Sequence, residues 1–176
     1  MSQQSARYQR SAGGMVGALL LLVVLILGYL GLQALTGNRH PDPVHTVAYG
    51  QDVPAARKAA DFPLLAPPRL PQGWRATTVS FSGPPDAHWH LGVLTAADRY
   101  VGLEQGHDTV PSMVQAYVDK AADRGRPVDV EGAAWASYTD PGGDLALVRR
   151  TKGTTTLVVG HEVPRSDLVS YIESFR

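Results

Sequence analysis

The side chains in this sequence best suited to chemistry are His88 and His90, which flank Trp89, together with Glu104 further along. Residues two apart on a strand share a face, so both imidazoles would point the same way. A hairpin turning at Ala96-Ala97-Asp98 would set Glu104 opposite His90 and Tyr100 opposite Leu94 on that face. Two histidines and one carboxylate form a ligand set for zinc or ferrous iron. The same residues make an ordinary favourable cross-strand pair on a solvent face. Arg149, Arg150 and Lys152 are a second candidate. They sit at the tip of the last expected hairpin, where they would suit anionic headgroups or an acidic envelope polymer. His107-Asp108 precedes an expected helix and reads as a loop histidine beside a cap. Trp74, Trp89 and Trp135 read as core and sheet packing.

Other chemistries find little purchase. The chain has no cysteine, which removes thiolate metal sites, disulfide staples and a lipid-modified N-terminal cysteine. No Gly-x-Ser-x-Gly elbow, phosphate loop or dinucleotide fingerprint occurs. Sixteen Lys and Arg balance sixteen Asp and Glu, so no basic surplus points to nucleic acid. No catalytic residue is assigned and no cofactor is expected.

The elements that must position these residues follow from periodicity. Alternation of period two predicts strands over 74–82, 88–95 and 99–105, then 135–138, 145–151 and 154–161. Leu91 would pair with Leu103 and Val93 with Val101. Thr109 should cap a helix over about 111–124 stopped by Gly125, and Ser166 should cap a C-terminal helix burying Leu168, Ile172 and Phe175. Asp52 should cap a short helix over 53–60. Lys152-Gly153 is a tight hairpin turn. Ala146, Val148, Leu157 and Val159 would point one way while Leu145, Leu147 and Val158 point the other, which makes this hairpin central and covered on both sides. The expected fold is α+β: an antiparallel sheet of about six strands in a βββα-βββα order, with two helices on one face.

Ahead of this domain no charged residue occurs between Arg10 and Arg39, and residues 15–30 are almost wholly apolar. Roughly 20 apolar residues span a bilayer as a helix. The expected organisation is a short cytoplasmic N-terminus at 1–11, one transmembrane helix at 12–36, a stalk and short helix at 37–60, and an extracytoplasmic domain at 61–176. Arg7 and Arg10 place the N-terminus inside.

Asp42-Pro43-Val44, Phe62-Pro63-Leu64, Leu70-Pro71-Gln72-Gly73-Trp74-Arg75, the stretch from Trp89 to Thr95, and Tyr100-Val101-Gly102-Leu103-Glu104-Gln105 together resemble a family of actinobacterial membrane proteins, domain of unknown function 4245. The resemblance implies a single-pass protein with an outward domain and transfers no catalytic residue. The function expected is a non-enzymatic binding module of the cell envelope, with an envelope protein or polymer as partner. The alternatives are a metal-binding protein or metal-dependent hydrolase at His88, His90 and Glu104, and a small-ligand carrier.

Overall fold

The computed structural model describes residues 45–176 and, ahead of them, Leu22 and Ile26 alone, both helical. The expected membrane helix and most of the stalk lie outside the described residues. Among those described, no helix is long and apolar enough to cross a membrane.

His45–Arg176 form one compact unit. A 3-10 turn at Tyr49–Gln51 leads into α1 (Val53–Ala59), followed by β1 (Arg75–Ser82), β2 (His88–Leu94), β3 (Tyr100–Gly106) and α2 (Val110–Tyr117). The remainder is β4 (Asp123–Arg124), β5 (Val128–Val130), β6 (Ala133–Thr139), β7 (Asp144–Thr151), β8 (Thr154–His161) and α3 (Arg165–Glu173). The fold is α+β with an antiparallel sheet. Its main path runs β1-β2-β3-β8-β7-β6-β4, with β5 paired to β6. The last hairpin is central, as its two apolar faces require.

Three expectations are corrected. The sheet has eight strands rather than six, because the short β4 and β5 flank β6. The long helix to Arg124 is only α2, which ends at Tyr117 with Val118 at φ −121°, ψ −86°. Residues 119–124 are fair helix formers, but the Asp119 side chain accepts from the Ala121 amide at 2.6 Å, and Asp123 and Arg124 pair with Thr139 and Tyr138. A local side-chain turn and a sheet edge outcompete propensity there. The two helices also lie on opposite faces. Leu168, Tyr171, Ile172 and Phe175 join Trp89, Leu91, Leu103, Leu147 and Val158 in the larger core, whereas Met113 and Val114 of α2 join Ala146, Val148, Leu157 and Val159 in the smaller one.

The larger face is covered as well by α1, through Val53 and Ala56, and by the proline-rich crossing at Phe62, Leu64 and Ala66. The Arg57 Nε donates to the Leu64 carbonyl at 3.2 Å, tying helix to crossing. Caps are mixed. The Thr109 hydroxyl accepts from the Ser112 amide at 3.3 Å as expected, but Asp52 makes no side-chain cap and Pro164, not Ser166, precedes α3.

Candidate functional site

The register of β2 on β3 is the expected one: Leu91 pairs with Leu103, Val93 with Val101, His90 with Glu104 and Leu94 with Tyr100. It brings His88, His90 and Glu104 onto the face that carries α2. Glu104 is buried, 2% exposed, while the two imidazoles are partly open. His90 Nδ1 lies 2.6 Å from Glu104 Oε1, and His88 Nε2 lies 3.4 Å from Glu104 Oε2. Glu104 Oε2 is buried without a hydrogen-bond partner.

Two further residues complete the cluster. The Thr78 hydroxyl stands 2.8 Å from His90 Nε2, and the Tyr117 hydroxyl 3.1 Å from His88 Nε2, its ring nearly parallel to that imidazole. Both ring nitrogens of His90 are therefore engaged. Among the described residues no group of three or more His, Cys, Asp or Glu side chains is arranged to hold a metal ion.

The sequence concealed Thr78 for a specific reason. The register on β2 shifts between Ala76 and Thr78, so that Ala76 faces Val93 and Thr78 faces Gly92. Without this bulge, strict alternation would leave Thr78 on the apolar face with Ala76. The available signal was a glycine pair. Gly92 and Gly102 face each other in mid-sheet, and Tyr100 lies across both, its hydroxyl 3.1 Å from where either Cβ would stand. The Thr78 hydroxyl fills the same space beside Gly92. Burial, with Glu104 and Tyr117 nearby, pushes the Tyr100 phenol up to about 12. Burial raises Tyr117 too, with help from Glu104 and Asp108.

The basic tip is divided by strand alternation. Arg150 turns to the α2 face, where its guanidinium donates to the carbonyls of His107 and Asp108 and, at 2.8 Å, to the Thr155 hydroxyl. Arg149 and Lys152 instead border a cleft on the opposite face, with Trp135, Pro63, Leu65, Gln105 and the threonines at 151, 154 and 156. Gln105 is buried at its floor, accepting from the Leu65 amide at 2.7 Å and donating to the Thr156 hydroxyl at 3.0 Å. Of the tryptophans, Trp89 is fully buried and Trp135 is 4% exposed. His107 Nε2 meets Asp61, 2.9 Å away, rather than the neighbouring Asp108.

Residues 7–174 match the profile of a family described as a protein of unknown function, DUF4245. The chain belongs to that family. No curated protein and no solved structure matches it. The DUF4245 match takes in both the apolar segment at 15–30 and the α+β unit.

Proposed function

We propose that this protein is a membrane-tethered binding module of the cell envelope, whose cleft beside Arg149 and Lys152 takes an anionic group carried by a neighbouring envelope component. The cleft carries this reading. Two cations stand at the edge of a largely apolar hollow with threonine hydroxyls and a fixed amide at hand. Such a lining suits a carboxylate or phosphate attached to something less polar.

Size discriminates between binding modes. The hollow encloses about 210 Å³, below the roughly 300–1,000 Å³ of pockets that engulf a whole ligand. It fits one side chain or one sugar-sized group. In this cleft, that favours docking of a partner's group over engulfing a whole small molecule. The uncharged run at 15–30 and the arginines before it support tethering with the unit outside.

The test is photo-crosslinking in native membranes from position 151, which lines the cleft, followed by mass spectrometry. One anionic component should be captured reproducibly, and capture should fall at least tenfold when Arg149 and Lys152 are both changed to Ala. Empty capture, or capture indifferent to that double substitution, would refute the reading. Protease added to cells stripped of their outer layers should digest residues 45–176. Full protection would overturn the orientation.

A further inference from the structure

The geometry points to an acyl-transfer centre on the face opposite the cleft, in which Thr78 is the nucleophile, His90 the base, Glu104 its orienting carboxylate and Tyr100 the donor to the oxyanion. Three observations converge on it. The order of contacts is hydroxyl, Nε2, Nδ1, carboxylate: Thr78 Oγ1 to His90 Nε2 at 2.8 Å, then His90 Nδ1 to Glu104 Oε1 at 2.6 Å. A hydrolytic triad needs that order, because a carboxylate on Nδ1 fixes the tautomer that leaves Nε2 free to take a proton.

Burial is graded in the same sense. Thr78 is exposed, the His90 side chain is 22% exposed and that of Glu104 is 3% exposed. The reacting group is thus open to substrate while the carboxylate that must hold the imidazole is shielded from water. An ordinary surface pair would leave both partners in solvent, where such contacts contribute little.

The third observation is the glycine pair beneath Thr78 and Tyr100. Gly92 and Gly102 remove two side chains side by side, and into that space come the Thr78 and Tyr100 hydroxyls. A carbonyl carbon approaching Thr78 would place its oxygen toward the phenol. A phenolic O–H in such a setting is an established type of oxyanion donor. The ionisable groups around this glycine pair include His88, His90, Tyr100, Glu104 and Tyr117. Of the cations at nearby positions, Arg75, opposite Leu94, is paired with Asp98, and Arg150 further along this face is engaged with backbone carbonyls. The substrate class is therefore an uncharged carboxylic ester.

The reaction balances without a cofactor. Thr78 Oγ attacks the ester carbonyl carbon as His90 Nε2 takes the hydroxyl proton, and the carbonyl electron pair moves onto oxygen facing Tyr100. Collapse breaks the bond to the alcohol oxygen, which receives the proton from His90. Water then attacks acyl-Thr78, with His90 again taking the proton and returning it to Thr78 as the acid leaves.

The experiment uses the full chain in detergent micelles with 4-nitrophenyl acetate, following nitrophenolate release and locating acetyl groups by peptide mass spectrometry. Acetyl should appear on Thr78. Turnover should persist in Thr78→Ser, fall by roughly a thousandfold or more in Thr78→Val, and lose about a hundredfold in kcat, with KM little changed, in Tyr100→Phe. Val is β-branched like Thr and the site is exposed, so that variant keeps its strand. Circular dichroism checks this. Wild-type turnover no faster than folded Thr78→Val, or acetyl found on His90 or a lysine instead of Thr78, would overturn the assignment.

Discussion

Gly160→Ala should destabilise this unit although the residue lies within a strand, next to its last residue, where alanine ordinarily improves on glycine. On β8 a Cβ at position 160 would lie 2.8 Å from Val163 Cβ, 2.9 Å from Leu168 Cδ2 and 3.0 Å from Val163 Cγ2. Carbon pairs are comfortable at about 3.5–4.0 Å, so each contact is half an ångström or more too close. Leu168 could change rotamer, but Val163 Cβ is fixed to the backbone that enters α3 at Pro164. Relief therefore means lifting the start of α3 from the sheet. Overpacking of this kind costs about 1–3 kcal/mol, and glycine's entropic handicap returns roughly 0.5–1 kcal/mol. The net spans roughly 0–2.5 kcal/mol and centres near 1 kcal/mol, or about 3–5 °C in Tm at that centre for a unit of this size. Thermal unfolding followed by near-ultraviolet circular dichroism reads it directly, since Trp74 and Tyr171 pack with ring centroids 5.4 Å apart beside α3. Gly50→Ala is the control. Nothing lies within 4 Å of its would-be Cβ, and it should be neutral or slightly stabilising. Equal or higher Tm for Gly160→Ala would refute the seating of α3 against β8.

Two other outcomes are expected. Tyr171 is fully buried, its hydroxyl has no partner and burial pushes its phenol far up, so Tyr171→Phe should leave stability unchanged or raise it by about 1 kcal/mol in denaturant titration; a clear loss would reveal a hydrogen bond to that hydroxyl. Tyr100 titrates at about 12 in the folded chain against 10.0 for a free tyrosine, so its neutral form contributes stability that is complete below pH 10 and disappears as pH rises through 12. Absorbance at alkaline pH should show, ahead of the still later Tyr171, a phenol titrating near pH 12 that reverts to ordinary behaviour in urea and is missing in Tyr100→Phe.

Much of the scaffold was legible because it is written in local periodicities. The β2–β3 register followed from alternation on both strands, and with it the meeting of His90 and Glu104. Asp98 takes the left-handed conformation at φ 59° that the three-residue loop demands. The β7–β8 hairpin, with Lys152 and Gly153 at positive φ, was equally explicit, and its two apolar faces required cover on both sides. Placing both helices on one of them was the error. Each helix shows only that it has an apolar stripe, and a stripe does not name the face it meets. Arg149 and Arg150, adjacent in sequence, were read as one cluster although a strand must send them to opposite sides.

The amino-acid sequence by itself determined the registers of the β2–β3 and β7–β8 hairpins, the charge-free segment at 15–30 and the family to which the chain belongs, since each is a pattern among neighbours or near neighbours along the chain. Only the tertiary structure decided which helix covers which face, that Leu65 and Gln105 close a cleft beside Arg149, and that Thr78 stands at His90. Those depend on contacts between distant segments and on one extra residue in β1. A single bulge reverses which side every later residue of a strand presents, and no periodicity announces it.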